Sequence, residues 1–160
     1  MKVVGIIGWK NSGKTFFAQK IIKKISSQGL KVASIKRAHH NFEIDKPGTD
    51  SYLHRMAGAK QVIISSSKRF AKITEIDDKK EKTLQDLLKD LDNTDIVIVE
   101  GFKREMHPKI EIINSNKNFL YKEVSNVIAL ITEEKINVSM PQFKKNQIDL
   151  IVEFILKYNE

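Results

Sequence analysis

The 160-residue chain contains no cysteine, which excludes disulfide scaffolds, zinc ribbons and thiol catalysis. Hydrophobic residues make up 41% of it, yet they never run together for the ~20 positions that a membrane-spanning helix needs. No membrane partner is therefore expected. Proline is scarce, and Pro47, Pro108 and Pro141 each fall between predicted elements. No linker, repeat or low-complexity tract breaks the chain, so a single domain over residues 1–160 is expected. The first residues form a short strand-like run with neither an apolar h-region nor a small-residue cleavage site, and with no cysteine to oxidise the expected location is the cytoplasm.

Aromatic residues are also few, at 8%, and none is interleaved among the basic stretches. That argues against nucleic acid, although a net charge of +8 invites it. The charge is unevenly spread. Residues 1–72 carry 15 basic and 3 acidic side chains, whereas residues 73–160 carry 13 and 17. The positive excess belongs to the first half, and the question becomes which anion that half handles.

Short apolar runs alternate with amphipathic stretches. Strands are predicted at 3–7, 32–36, 61–65, 70–76, 96–99, 109–113 and 126–131. Helices are predicted at 15–27, 51–58, 83–91 and 147–158, the first with Phe17, Ile21, Ile22 and Ile25 on one face and Gly29 as its C-cap. Such alternation implies parallel crossovers, hence an α/β fold in three layers with helices flanking a mostly parallel sheet.

Gly8-Trp9-Lys10-Asn11-Ser12-Gly13-Lys14-Thr15 fits G-x-x-x-x-G-K-[ST], a pattern expected by chance about 0.005 times in this composition. A strand precedes it and an amphipathic helix follows. Glycines let backbone N–H groups turn toward phosphate oxygens, and the helix N-terminus adds partial positive charge. Lys14 would reach the β- and γ-phosphates and the Thr15 hydroxyl would ligate Mg²⁺. The fold is therefore read as a P-loop NTPase type. An acidic partner is needed at a neighbouring strand end, and Glu100 supplies it, at the carboxyl end of 96–99 where ligands bind in parallel sheets. Gly101 would allow a close backbone approach beside it, while Asp95 starts the strand.

The run Lys36-Arg37-Ala38-His39-His40 follows the second strand and emerges at the same edge, followed by Asp45-Lys46-Pro47-Gly48-Thr49-Asp50-Ser51. Adjacent histidines in an extended segment point to opposite sides, which disfavours both on one metal. Contact with an anionic substrate is the preferred reading, and Asp50 is open to capping a helix or to reaching Mg²⁺ or a ribose. His54 and His107 belong to no motif and read as surface residues. The guanine-reading pattern N/T-K-x-D fails at Asn116-Lys117-Asn118-Phe119, which reads as a turn. The strand end before Glu133-Glu134 is a second place for a base-reading acid.

Taken together, G-W-K-N-S-G-K-T, I-K-R-A-H-H, D-K-P-G-T-D-S-Y, R-M-A-G-A and I-V-I-V-E-G-F-K resemble the molybdopterin-guanine dinucleotide biosynthesis protein B family, MobB, clearly from residue 3 to about residue 113. The resemblance implies a P-loop α/β fold, GTP with Mg²⁺ as ligands, weak GTP hydrolysis and a homodimer. It also implies assistance to the guanylyltransferase MobA, which joins GMP to molybdopterin in making the molybdenum cofactor. By position, Gly8 and the run Asn11, Ser12, Gly13, Lys14, Thr15 and Phe16 would hold phosphates. Lys14 and Glu100 would act on them, with Thr15 and Glu100 on the metal. Gly48, Thr49, Asp50 and Ser51 would form a second nucleotide-binding segment, and Lys36, His39, His40 and Lys103 would line the edge for the pterin phosphate. Two positions depart from the family: Arg37 stands where it usually has histidine, and Thr49 where it has lysine. Arg37 keeps positive charge but cannot titrate like an imidazole, and Thr49 removes a cation.

A P-loop kinase for a small molecule is the alternative, since the motif and Glu100 serve both classes. Against it stands the absence of an arginine-rich lid: the chain has only Arg37, Arg55, Arg69 and Arg104.

Overall fold

The apolar run Lys2–Ile7 forms β1, followed by helix α1 (Lys14–Ser26) and strand β2 (Val32–Lys36). Next come α2 (Asp50–Met56), β3 (Gln61–Ser65), β4 (Phe70–Thr74) and α3 (Leu84–Lys89). The chain ends with β5 (Ile96–Glu100), β6 (Lys109–Ile112), a 3₁₀ turn (Leu120–Lys122), β7 (Val127–Ile131), β8 (Gln142–Phe143) and α4 (Ile148–Lys157). This computed structural model describes residues 1–38, 42–76, 81–114 and 118–159.

Six strands make one sheet in the order β2-β5-β1-β6-β7-β8, and every pairing in it is parallel. Alternation along the strands sorts the core into two layers. Val4 and Ile6 of β1, with Ile96 and Ile98 of β5, pack under α1 and α4. Ile35, Val97 and Val99 face the other way, where Leu84, Leu87, Leu88 and Leu91 cover them. Helices thus lie on both faces of a parallel sheet, as the alternating pattern requires. The predicted stripe of α1 is the buried one: Phe17, Ile21 and Ile25 are buried, and Ile22 is partly so. The C-cap is Ser27 rather than Gly29, which takes a left-handed conformation (φ 83°) two residues further on.

Residues Ala38–Thr83 form a compact unit of their own, while Met1–Arg37 and Leu84–Glu160 form the other. In the smaller unit β3 and β4 pair antiparallel as a separate two-stranded ribbon. These strands were expected among parallel crossovers, but only four residues separate Ser65 from Phe70. That length closes a hairpin and is far too short for a crossover. The strand β8 escaped prediction because two residues carry no periodicity.

Candidate functional site: a P-loop facing an acidic strand end

The central strand β1 runs directly into the glycine-rich loop. A Cβ on Gly8 would lie 2.7 Å from the Ile112 carbonyl and 2.4 Å from Ser12 Oγ, so no larger residue fits there. Asn11 takes a left-handed conformation (φ 63°), which asparagine tolerates better than most residues. Ser12 N–H donates to the Trp9 carbonyl (3.1 Å), which tightens the loop, while the buried Ser12 hydroxyl has no hydrogen-bond partner. Gly13 caps α1, whose first turn contains no acidic residue, so no side chain of the turn itself offsets the positive helix end.

Lys14 Nζ donates to the carbonyls of Trp9 (2.8 Å) and Gly8 (3.1 Å), folded over its own loop. Burial holds this ammonium below the usual lysine range; Glu100 pulls it back up, and Lys36 and Lys103 push it down further. The register explains this convergence. Lys36, Glu100 and Ile6 are paired across β2, β5 and β1, and Glu100 has the same parity as Ile96 and Ile98, which face α1. Its carboxylate therefore meets the first turn of α1. Thr15 Oγ1 donates to Glu100, with its two oxygens 3.0 and 3.2 Å away, and Lys36 Nζ is 3.4 Å from Glu100 Oε1.

Beyond Glu100 the chain turns sharply. Gly101 (φ 99°) passes so close to Arg37 that a Cβ would lie 2.8 Å from the arginine's own, which is the close approach expected there. Phe102 follows with φ 48°, buried, with the Arg37 guanidinium 5.6 Å from its ring centroid. Lys103 then lies over the Trp9 ring, 5.2 Å from its centroid. Phe16 projects from α1 into solvent with Lys20 over its ring, so it reaches the site through its backbone alone.

The predicted residues thus divide. Gly8, Asn11, Ser12, Gly13, Lys14, Thr15, Phe16, Lys36, Glu100 and Lys103 belong to the larger unit. Gly48, Thr49, Asp50 and Ser51 belong to the smaller one, at the start of α2, where Thr49 Oγ1 donates to the Lys46 carbonyl (2.8 Å). The loop before it is fastened by Arg55, which pairs with Asp45 (2.9 Å), Glu75 (2.9 Å) and Glu43. His39 and His40 lie outside the described residues, as do Asn116 and Lys117 of the predicted turn. His54 is exposed as expected. His107 is not the surface residue its lack of motif suggested: both ring nitrogens are buried over Gly5, where a glycine Cβ would come within 2.4 Å of Nε2.

Sequence reasoning missed two contacts of the loop. Trp9 Nε1 donates to the Asn118 carbonyl (2.9 Å), and Asn114 Nδ2 to the Asn11 carbonyl (3.1 Å). The available signal was Trp9 itself, the single tryptophan of the chain, standing at an unconstrained position of the motif.

The residues present fit a nucleotide polyphosphate. The cradle at Gly8 admits no side chain, a buried serine hydroxyl lacks a partner, and the helix end is positive. They fit a magnesium ion as well: a hydroxyl and a carboxylate are hard oxygen donors, and magnesium takes few protein ligands when phosphates supply the rest. Among the described residues no three His, Cys, Asp or Glu side chains converge as a self-sufficient metal site.

A parallel sheet whose central strand feeds a glycine-rich loop into a helix, opposite an acidic strand end, defines a P-loop NTPase-type α/β fold. Residues 3–133 match the family described as molybdopterin guanine dinucleotide synthesis protein B, MobB. The molybdopterin-guanine dinucleotide biosynthesis adapter protein of Escherichia coli (strain K12) is 32% identical over 161 residues, covering 98% of this chain and 92% of that protein. The adapter protein of the same description from Haemophilus influenzae is 35% identical, covering 96% and 86%. A crystal structure of Bacillus subtilis MobB has a TM-score of 0.77 at 26% identity, covering 98% of this chain and 96% of that one. The chain belongs to the MobB family.

Proposed function

We propose that the chain is an adapter in molybdopterin guanine dinucleotide biosynthesis that binds GTP with Mg²⁺, hydrolyses it weakly and assists the guanylyltransferase MobA. The observation that carries the nucleotide half is the Thr15 hydroxyl on the Glu100 carboxylate, 3.0 Å apart, at the start of a helix preceded by the phosphate-cradling loop. Thr15 and Glu100 would hold the metal, whose chemistry is to neutralise charge on the β- and γ-phosphate oxygens. Lys14 would leave the Gly8 and Trp9 carbonyls to reach those phosphates. The adapter half is supported by the relatives' descriptions and by their near full-length coverage.

Lys36 and Lys103, with His39 and His40 beyond the second strand, would line this edge for phosphate, that of the nucleotide as well as that of molybdopterin or the molybdenum cofactor. Gly48, Thr49, Asp50 and Ser51 form the second nucleotide-binding segment. A homodimer is supported by the smaller unit's apolar surface: of the 13 exposed large hydrophobic side chains among the described residues, eight lie from Phe42 to Ile76. A cytoplasmic location accords with this role, and among the described residues no helix is long and apolar enough to cross a membrane.

Calorimetry of GTP and ATP, with Mg²⁺ and with a chelator, tests the nucleotide half. GTP should bind more tightly than ATP, weaken without Mg²⁺, and lose about a hundredfold in affinity in Lys14→Ala. Equal affinity for ATP removes the base assignment. For the adapter half, adding the protein to MobA should raise the yield of guanine dinucleotide, and no change removes that role.

A further inference from the structure

Trp9 touches three parts of the larger unit at once. Its indole N–H is fixed on the Asn118 carbonyl (2.9 Å), its own carbonyl accepts Lys14 Nζ (2.8 Å), and its ring face carries the Lys103 ammonium 5.2 Å from the centroid. Lys103 is an exposed side chain and stands close enough to Lys14 to act on its charge, as Lys36 does. A solvated lysine beside another ammonium group gains by swinging away into water. Two features of the structure hold it in place. The consecutive positive φ angles of Gly101 (99°) and Phe102 (48°) aim the chain at the P-loop, and the electron-rich indole face attracts the ammonium where it arrives.

We propose that Trp9 is a positioning residue: its ring holds Lys103 beside the P-loop as a second cation, placed for the terminal phosphate of a bound nucleoside triphosphate. The end of the polyphosphate follows from the chain. Lys103 lies three residues beyond Glu100, and the Thr15–Glu100 pair marks where the β- and γ-phosphate oxygens belong. This inference rests on the nucleotide reading above, and it adds a cation outside the P-loop motif with the residue that orients it. Trp9 itself touches no phosphate.

The consequence is selectivity for triphosphate over diphosphate. Calorimetry with GTP and GDP, at fixed Mg²⁺, on the wild type, Trp9→Leu, Lys103→Met, the double variant and Trp9→Phe reads it directly. Lys103→Met should lower the ratio of GTP to GDP affinity about tenfold, and Trp9→Leu about three- to tenfold. The double variant should fall no further than Lys103→Met alone, because both changes remove one interaction. Trp9→Phe, which keeps an aromatic face, should recover most of the ratio. GDP affinity serves as the folding control, since a loop merely disrupted loses both nucleotides together. Parallel loss of GTP and GDP, additive effects in the double variant, or an unchanged ratio in Trp9→Leu would each overturn the positioning role while leaving the nucleotide reading intact. Wild-type protein that binds neither nucleotide would overturn that reading, and this inference with it.

Discussion

Packed over Gly5, the imidazole of His107 has neither ring nitrogen within reach of a hydrogen-bond partner. Burial, and secondarily the charge of Lys109, lowers its pKa to about 4 from an ordinary 6.5. The folded chain therefore resists a proton that the unfolded chain accepts, and between those two values the unfolded state binds more protons. Stability should be whole above pH 6.5 and be lost as pH falls toward 4. From pH 7 to pH 5 the loss due to this one group should be about 1–2 kcal/mol. Urea unfolding of the wild type and His107→Leu at both pH values checks it: the variant should lose less stability on acidification, and equal losses would place the pH dependence elsewhere. Nothing around His107 announced this burial. A lone histidine between a methionine and a proline has no period, and the residue it packs over, Gly5 of β1, lies far away in the sequence. The P-loop residues were legible for the opposite reason, since backbone geometry around phosphate constrains residue types at fixed spacing whatever the rest of the chain does.

Strand β6 shows how an element acquires an interior its pattern does not disclose. Lys109-Ile110-Glu111-Ile112 alternates charged and apolar residues, which in isolation reads as one wet face. All four are buried. Ile110 and Ile112 join the core under α1 and α4. On the other face Lys109 Nζ donates to the carbonyls of Glu105 (2.5 Å) and His107 (2.7 Å), which closes the loop after β5. Glu111 accepts the N–H groups of Leu120 and Tyr121, each at 2.8 Å, and so caps the 3₁₀ turn. Burial pushes the Glu111 carboxyl up, and those two N–H groups draw it back down. Glu111→Ala should leave both donors without a partner and cost about 2–4 kcal/mol, with Glu111→Gln costing less because one acceptor survives. The urea midpoint should fall at constant slope, and amide exchange should accelerate at Leu120 and Tyr121. Unchanged exchange there would show that Glu111 is not what holds the turn. Element positions were largely readable from apolar spacing, but the partners of β6 and the pairing of β3 with β4 were not, because periodicity reports a face without reporting what covers it.

At the scale of the whole molecule, the two compact units differ in how much apolar surface each keeps inside itself. Nearly all the core belongs to the larger unit, and among the described residues of Ala38–Thr83 only Val62 is a buried hydrophobic side chain. Within the ribbon, pairing puts Gln61, Ile63, Ser65, Phe70, Lys72 and Thr74 on one face and Val62, Ile64, Ala71 and Ile73 on the other. Ile63 is 65% exposed and Phe70 75%. An isolated two-stranded hairpin is marginal in water, and a partner seated on this face would take both large apolar side chains out of water. The homodimer proposed above would cover it, and a stable dimer needs upward of about 1,000 Å² of buried surface. Sedimentation equilibrium at micromolar concentration should find the wild type dimeric. Replacing Ile63 and Phe70 by lysine puts two like charges on each copy's apolar face, and this double variant should sediment as a monomer. It should keep its GTP affinity within about threefold, because neither residue belongs to the P-loop or to the Gly48-Thr49-Asp50-Ser51 segment. A wild-type monomer, or a double variant that remains dimeric, would assign the patch to another partner. The charge asymmetry of the chain does not compete with this surface. The excess of 15 basic over 3 acidic residues in the first 72 includes Lys14 and Lys36 at the P-loop, where it favours arriving polyphosphate, while Ile63 and Phe70 form the apolar part of a ribbon face whose one charged residue is Lys72, opposite Ile63.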